Sequence, residues 1–181
     1  MEKLPGDYIA GFVDGEGCFA LTFRRDVRHE RGKRTGIKPV YFYWKAQFVI
    51  VLRNDDRQLL ERIREALNCG SITITQNSAR YQVTNLDDLK YKIVPFFEKH
   101  QLYGKKMNDF YLWHRAVDIL HKYKIKRGYV NSKRGIGFYS IRWDKKDLQT
   151  LKQIHQKMLI YKSHKARRKK WVDKIESIGR G

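Results

Sequence analysis

The order of periodic segments along the chain predicts an α+β fold in which helices alternate with pairs of β-strands. Two stretches, 18–28 and 40–53, alternate apolar and polar residues with the period of two that is typical of half-buried strands. A shorter pair follows at 71–75 and 80–84. Apolar residues at helical spacing precede, separate and follow these pairs. The predicted order is therefore helix, strand pair, helix, strand pair, helix, with further helices toward the C-terminus.

The first predicted helix runs from Pro5 to Gly17 and has an unusual composition. Pro5 suits a first helical turn, and Gly17 can end the helix in a left-handed conformation. Gly11 and Gly15 fall on one face, with Tyr8 beside them. A glycine inside a helix costs about 1 kcal/mol relative to alanine, so two on one stripe indicate close approach by another backbone.

Each strand pair is predicted to have one apolar face and one face of hydrogen-bonding groups. The apolar face of the first pair carries Phe19, Leu21, Phe23, Phe42, Trp44, Ala46, Phe48, Ile50 and Leu52. The basic segment 29–38, which includes Gly32 and Gly36, should form an exposed hairpin loop between these strands. In the second pair, with its turn at 76–78, the residues expected to face the core are Ile72, Ile74, Tyr81 and Val83.

Capping residues and apolar spacing predict the remaining helices. The segment 54–56 should cap a helix that ends at Cys69-Gly70, and Asn85 should open another that is interrupted at Pro95. A long helix follows the basic loop 101–106, with an apolar stripe of Met107, Phe110, Trp113, Val117 and Leu120. Asp144 and Asp147 begin a further helix, whose apolar positions are Leu148, Leu151, Ile154, Met158 and Leu159.

These segments suggest a core domain over residues 1–130 and a basic C-terminal extension over 131–181 that is helical and packs on the core. Between the long helix and the last one, 124–137 is expected to be a loop and 138–143 a short extended segment. The basic tail at 162–170 suits either a solvated end or an arm that contacts phosphates.

Composition limits the partners and the compartment. The 181 residues carry a formal net charge of +20, which suits a polyanion such as a nucleic acid. Cys18 and Cys69 lack the spacing of a zinc site or a disulfide framework, so reduced thiols in an intracellular protein are expected. The compartment could be an organelle (mitochondrion or chloroplast) or a prokaryotic cytoplasm. No apolar run approaches the length that spans a membrane, so no membrane partner is expected.

The nine residues from Ile9 to Gly17, IAGFVDGEG, resemble the signature of the LAGLIDADG homing endonucleases. Glu16 stands where that family often has Asp, and no second copy of the motif occurs in the chain. The resemblance is therefore to the single-motif members, which act as homodimers. It implies the αββαββα fold, with four antiparallel strands that form a saddle for double-stranded DNA and with helices on the other face. It also implies site-specific cleavage of a long pseudo-palindromic target, in the service of intron or intein mobility.

The resemblance assigns roles to the end of the first helix. If two copies pack through Gly11 and Gly15, their Glu16 carboxylates meet at the negative ends of two helix dipoles, where they repel each other. A divalent cation removes this repulsion, and Mg²⁺ fits best, with Mn²⁺ or Ca²⁺ as substitutes for binding. In the family, the acid at position 16 is the metal ligand, often assisted by the carbonyl oxygen at position 15. The expected dimer interface comprises Tyr8, Gly11, Phe12, Asp14 and Gly15.

Side chains that alternate away from the core are expected to bind DNA. A strand pair fits the major groove, where each base pair has its own pattern of donors and acceptors. The candidates on the strands are Thr22, Arg24, Arg28, Tyr41, Tyr43, Lys45, Gln47, Thr73, Thr75, Arg80 and Gln82. In the long loop they are Arg31, Lys33, Arg34 and Lys38.

Two features of the catalytic assignment stay open. Lys105 and Lys106 both resemble the family's lysine-containing segment before its last core helix, and either could balance charge at the scissile phosphate. Leu52 stands where some family members have a water-positioning Gln, and Arg53 or Gln47 could take its place. The alternatives to a nuclease are a maturase that binds intron RNA on the same fold and a basic, non-enzymatic nucleic-acid-binding protein.

Overall fold

The computed structural model describes residues 3–27, 40–127 and 143–160, and it confirms the α+β fold. The strands are β1 (Gly17–Val27), β2 (Val40–Arg53), β3 (Ser71–Ile74) and β4 (Ser78–Val83). The helices are α1 (Gly6–Glu16), α2 (Arg57–Leu67), α3 (Leu86–Asp88), α4 (Val94–Lys99), α5 (Lys106–Arg127) and α6 (Lys145–Leu159). The hairpin loop predicted at 29–38, most of the extended segment at 138–143 and the basic tail lie outside the described residues.

The four strands form one antiparallel sheet in the order β1-β2-β4-β3. β2 pairs with the whole length of β1 through its residues 40–50 and with β4 through its residues 48–53, so it lies between these two strands. One face of the sheet packs against the helices, because the residues that point there are apolar. In the core, Phe19 makes ring contacts with Phe48 at 5.2 Å, with Phe97 at 5.3 Å and with Trp113 at 5.1 Å between centroids.

The predicted core faces of the strands are largely correct. Phe19, Leu21 and Phe23 of β1 are buried, as are four of the residues predicted on β2, namely Trp44, Ala46, Phe48 and Ile50. The prediction for Ile74 is wrong, because its side chain is 48% exposed at the end of the edge strand β3. Tyr81 and Val83 on the neighbouring inner strand are buried, so the predicted register is correct. Ile74 is exposed because it lies on the edge strand.

The two ends of α1 differ from the prediction. Pro5 precedes the first turn as the N-cap, and its carbonyl oxygen accepts a hydrogen bond from the Ile9 N–H at 3.2 Å. Gly17 is extended, with φ −73° and ψ 162°, and not left-handed as predicted. A Cβ at position 17 would lie 2.8 Å from the carbonyl oxygen of Val13, so steric room and not handedness requires glycine at this helix-to-strand junction.

α2 begins and ends by other means than those predicted. Asn54–Asp56 form a 3₁₀ turn, and the Asp56 side chain makes no capping hydrogen bond. Asn68 ends the helix in the left-handed region at φ 49°, two residues before the left-handed Gly70 at φ 83°. Asn tolerates this conformation better than most residues, because its short amide can bond locally.

The helix interrupted at Pro95 contains a π-helical stretch, Leu89–Ile93, between α3 and α4. The N–H of Val94 bonds to the carbonyl oxygen of Leu89, five residues earlier. Proline has no N–H to continue the ordinary ladder, so the widened turn lies directly before it. As predicted, Asn85 caps the start of this region through its side chain, which accepts the Asp87 N–H at 2.9 Å.

α5 and α6 complete the layer behind the sheet. Phe110, Trp113, Val117 and Leu120 are buried as the apolar stripe predicted, but α5 extends to Arg127, beyond the loop expected from 124. Asp144 caps α6 by accepting the Lys146 N–H at 2.7 Å. The apolar residues of α6 join the same core as the strands, namely Leu148, Leu151, Ile154 and Met158. No helix within the described ranges is long and apolar enough to cross a membrane.

Candidate functional site

Glu16 lies at the C-terminal end of α1, and its side chain is exposed. The next residue, Gly17, opens β1 opposite Ile50, so the carboxylate lies at one end of the two longest strands. The three buried residues of α1, Ile9, Ala10 and Val13, attach the helix to the core. The fold thus presents a carboxylate on a rigid element beside a large sheet surface.

Asp14, two residues before Glu16, is bonded to the loop before α5. Its Oδ2 atom accepts the N–H of Tyr103 at 2.6 Å and the N–H of Gly104 at 3.0 Å. The sequence reasoning missed these two partners, because no periodicity connects residues so distant along the chain. The glycine at position 104 was the one feature of this loop in the sequence that could have indicated a close contact. In the structure, a Cβ there would lie 3.1 Å from Oδ1 of Asp14.

The structure distinguishes the two candidate lysines. The Nζ atom of Lys106 donates to the backbone carbonyl oxygen of Asp14 at 2.8 Å and also to that of Gly15. Lys105 is exposed and precedes the first residue of α5. Of the pair, Lys106 is therefore the lysine that the fold brings to the end of α1.

A second face of α1 is open. A Cβ built on Gly11 or on Gly15 would meet nothing within 4 Å in the described structure. Beside these glycines, Tyr8 is 48% exposed and stacks on the half-buried Phe12 at 6.4 Å between ring centroids. Contacts within the described part of the chain therefore give no reason for glycine at either position.

The donors at the end of α1 suit a hard divalent cation. A carboxylate and nearby backbone carbonyl groups supply the oxygen ligands that Mg²⁺ and Ca²⁺ prefer. Within the described ranges, no cluster of three or more His, Cys, Asp or Glu residues could hold a metal ion by itself. One chain thus offers part of an oxygen shell, which fits an ion that keeps waters and phosphate oxygens as its other ligands.

The sheet face away from the helices, called here the open sheet face, is polar and basic. Its residues are Cys18, Ala20, Thr22, Arg24, Tyr43, Lys45, Gln47, Val49, Val51, Arg53, Ser71, Thr73, Ser78, Arg80 and Gln82. None of these residues is acidic, but Asp26, whose side chain lies outside what the structure describes, takes the next position of the same alternation in β1. Partial burial lowers the pKa of Lys45, and repulsion from Arg24 and Arg80 lowers it further. The described side chains of this face therefore concentrate positive charge around Lys45.

The predicted DNA-binding residues within the described ranges differ in accessibility. Arg24, Tyr43, Thr73 and Thr75 are exposed, whereas Thr22, Lys45, Arg80 and Gln82 are half-buried. Gln47 is 8% exposed, which makes it less available to a ligand than its neighbours. Some of these side chains have partners within the sheet: Arg80 donates to Gln82 at 3.2 Å, and Thr22 donates to the Lys45 carbonyl oxygen at 3.3 Å. Arg28, Arg31, Lys33, Arg34, Lys38 and the side chain of Tyr41 lie outside what the structure describes.

The residues considered as replacements for a water-positioning Gln are not arranged alike. Leu52 packs against the core, and the exposed Arg53 forms an ion pair with Asp55 at 2.8 Å. Gln47 is buried on the open sheet face opposite Ala20. The register places Gln47 three residue pairs from the Gly17–Ile50 pair that adjoins Glu16, so neither candidate is shown beside the carboxylate.

The family model described as LAGLIDADG endonuclease matches residues 9–117. This range covers more than half of the chain and includes most of α1, the whole sheet and the first part of α5. The chain belongs to the LAGLIDADG endonuclease family. The resemblance of residues 9–17 to the family signature is thereby confirmed.

Curated relatives of this family member are described as intron-encoded. A probable intron-encoded DNA endonuclease of Mycosarcoma maydis is 34% identical over 99 residues, which are 54% of this chain and 32% of that protein. The probable intron-encoded endonuclease Cox1-I1b of Schizosaccharomyces pombe is 26% identical over 158 residues, 86% of this chain and 37% of that protein. The chain thus spans about a third of the length of these relatives.

Solved structures of homing endonucleases share the fold. The homing endonuclease I-TnaI is 26% identical, with a TM-score of 0.66 over 98% of this chain and 99% of that chain. The LAGLIDADG meganuclease I-AabMI, solved with uncleaved DNA, is also 26% identical, with a TM-score of 0.55 over 69% of this chain and 40% of that chain. These matches confirm the predicted sheet with helices on one face.

Proposed function

We propose that this chain is a site-specific DNA endonuclease that cleaves duplex DNA by metal-dependent hydrolysis of phosphodiester bonds. The observation that carries the proposal is the exposed Glu16 carboxylate at the end of α1, beside an open sheet face on which Arg24, Lys45 and Arg80 lie close enough to repel one another. A nuclease needs an oxygen ligand for a cation next to a surface that holds the phosphate backbone. The relatives described as intron-encoded support a role in intron mobility.

The open sheet face is suited to read DNA. Arg24 and Arg80 can bond guanine edges and Gln82 can pair with adenine, while Tyr43 adds an adaptable donor and acceptor. Positive charge on the same surface binds the phosphate backbone and releases counterions from it. Because β1 pairs with β2 over all of its 11 residues, this surface extends well away from Glu16 and suits a long target.

The chain's own groups have distinct roles in the proposed chemistry. Glu16 would hold the cation with its carboxylate, and the carbonyl oxygen of Gly15, which also accepts a hydrogen bond from Lys106, would be a neighbouring oxygen ligand. A divalent cation such as Mg²⁺, when bound, supplies a Lewis acid and a water of lowered pKa. Lys106 places a positive charge at the same end of α1, where it can stabilise negative charge that develops on the phosphate.

A homodimer would supply the second carboxylate that a double-strand break needs. The open stripe of Gly11 and Gly15 lets a second copy of α1 approach closely, with Tyr8 and Phe12 packing at its side. Asp14, which was also predicted at this interface, uses its carboxylate within the protomer, where Oδ2 bonds to Tyr103 and Gly104 and Oδ1 is buried. A two-fold axis through the contact would bring both Glu16 groups to the middle of the target.

Selection from a DNA library tests the proposal. The purified protein is incubated with a randomised duplex library and Mg²⁺, and the cut ends are sequenced. We expect a single long consensus whose half-sites are related by two-fold symmetry. Failure of the wild-type protein to cut any duplex, together with binding to structured intron RNA, would instead support the maturase alternative.

The substitution Glu16→Gln separates cleavage from binding. It keeps the size of the side chain but removes the charge that holds a cation, so cleavage of the selected DNA should be lost while affinity for that DNA changes little. Rates from gel assays and affinities from fluorescence anisotropy, both with Mg²⁺, measure the two properties. A Glu16→Gln protein that still cuts at the wild-type rate would exclude Glu16 as the metal ligand.

A further inference from the structure

The segment from His100 to Lys106 ties down both ends of α1. At the N-terminal end, Nδ1 of His100 and the Asp7 carboxylate form a hydrogen bond of 2.7 Å. At the C-terminal end, Asp14 accepts the N–H groups of Tyr103 and Gly104. Asp7 and Asp14 are seven residues apart, which is about two helical turns, so they lie on the same side of α1. A single short segment therefore fixes the helix along its length.

At the catalytic end the ties are reciprocal and complement the helix dipoles. A carboxylate from α1 lies at the N–H groups just before α5, where the helix end carries partial positive charge. The ammonium of Lys106, the first residue of α5, lies at the carbonyl oxygens that end α1, where the charge is partial and negative. Hydrogen bonds to charged groups are about twice as strong as neutral ones. The two helix ends are thus held together by four such bonds.

The backbone geometry makes the Asp14 contact specific. Gly104 lies so close to the carboxylate that a Cβ there would be 3.1 Å from Oδ1 and 3.4 Å from Cγ of Asp14. The carbonyl oxygen of Gly104 in turn accepts the Met107 N–H at 3.1 Å, in the first turn of α5. Movement of Asp14 would therefore displace the start of α5, which carries Lys106.

We propose that Asp14 is a positioning residue for the cleavage reaction, because it holds the Tyr103-Gly104 backbone and so fixes Lys106 against the end of α1 that carries Glu16. This role rests on the proposed nuclease function but is distinct from the roles of Glu16 and Lys106, since Asp14 acts through both of them. A nuclease that has lost the hydrogen bonds of Asp14 to Tyr103 and Gly104 should bind its DNA normally and cut it slowly. Misplacement by about 1 Å can cost a factor of about 100 in rate.

Three variants test the proposal. Asp14→Ala removes both acceptor bonds, whereas Asp14→Asn keeps an oxygen that can accept the same N–H groups. Asp7→Ala is the matched control, because it unties the same helix from the same segment at the other end. With the DNA selected from the library, we expect the single-turnover cleavage rate of Asp14→Ala to fall about 10- to 100-fold with the DNA affinity within about 3-fold of wild type. Asp14→Asn should recover part of the rate, and Asp7→Ala should cut at nearly the wild-type rate.

Amide hydrogen exchange of the DNA-free proteins gives a readout that needs no cleavage. In Asp14→Ala the Tyr103 and Gly104 amides should exchange about 10-fold faster or more, because each loses its acceptor, and they should stay protected in Asp7→Ala. Unchanged exchange at both amides would show that Asp14 does not hold this backbone, and it would overturn the proposal whether or not the wild-type protein cuts DNA. A wild-type protein that cuts no DNA would overturn the nuclease function separately. If Asp14→Ala exchanges these amides faster but cuts at the wild-type rate, the hydrogen bonds have no positioning role and the proposal is overturned. A parallel loss of DNA affinity in Asp14→Ala and Asp14→Asn would overturn it as well.

Discussion

At the scale of single residues, Lys45 shows that the open sheet face is arranged at a cost to the free protein. Partial burial and the neighbouring Arg24 and Arg80 lower the pKa of its ammonium group. Each of these causes disfavours the charged form, so the face stores unfavourable electrostatic energy when nothing is bound. A phosphate backbone placed on it would relieve the repulsion. The clustering of these cations is better explained by a polyanionic ligand than by stability.

The two cysteines allow a residue-scale prediction about the same surface. Cys18 is exposed on the open sheet face two residues after Glu16, whereas Cys69 is half-buried and hydrogen-bonds to Tyr81. Burial raises the pKa of the Cys69 thiol, so less of it is the reactive thiolate at neutral pH. We expect iodoacetamide to alkylate Cys18 first and bound DNA to slow that reaction, as measured by mass spectrometry of tryptic peptides. Cys69 serves as the internal control, because DNA on the sheet face should leave its slow rate unchanged.

At the scale of elements, α1 carries three different faces. Ile9, Ala10 and Val13 bury one face in the core, Asp7 and Asp14 bond a second to the segment before α5, and the glycine stripe leaves the third open. Glycine at position 11 in the helix and glycine at position 17 at its end have different explanations. At Gly17 the chain itself needs the space, whereas at Gly11 the described chain leaves the space empty.

This contrast predicts opposite effects for two alanine substitutions. Gly11→Ala should raise the stability of the folded protomer by about 0.5–1 kcal/mol, because alanine favours the helix interior and meets no neighbour. It should also weaken the dimer, which sedimentation velocity across a dilution series can measure. Gly17→Ala should lower the stability in urea unfolding, because its Cβ would lie 2.5 Å from a Val13 methyl group. A monomeric wild-type protein that still makes double-strand breaks would contradict the dimer argument.

A structural feature could be predicted from the sequence where residues close together in the chain determine it. The alternation along 40–53 reproduced β2 because each residue's face follows from its own polarity. The motif at 9–17 likewise located α1 and Glu16. The conformation of Gly17 was predicted wrongly, because the deciding contact is with Val13 and depends on how sharply the chain turns into β1. The bonds from Asp14 to Tyr103 and Gly104 connect residues about 90 positions apart and could not be read from any spacing.

At the scale of the whole molecule, the distribution of ion pairs separates the two sides of the sheet. On the helical side, lysines are paired with carboxylates: Lys90 with Asp118, Lys92 with Asp88, Lys122 with Asp147 and Lys124 with Asp87. The described side chains of the open sheet face include four cations, Arg24, Lys45, Arg53 and Arg80, of which only Arg53 has an ion pair with a described carboxylate, that of Asp55. Among the described residues, the cations of the open sheet face therefore have fewer carboxylate partners than these lysines, which would orient a polyanion toward the sheet.

The salt dependence of DNA binding tests this polarity. The logarithm of the association constant should fall linearly with the logarithm of salt concentration, because each cation that neutralises a phosphate releases counterions. Lys45→Met removes one charge from the open sheet face but keeps the aliphatic stem, so it should reduce the magnitude of the slope by about 1. Arg115→Ala removes one charge from the exposed side of α5 and should leave the slope unchanged. Fluorescence anisotropy with one DNA duplex at several NaCl concentrations gives all three slopes, and a larger effect of Arg115→Ala than of Lys45→Met would place the DNA on the helical side instead.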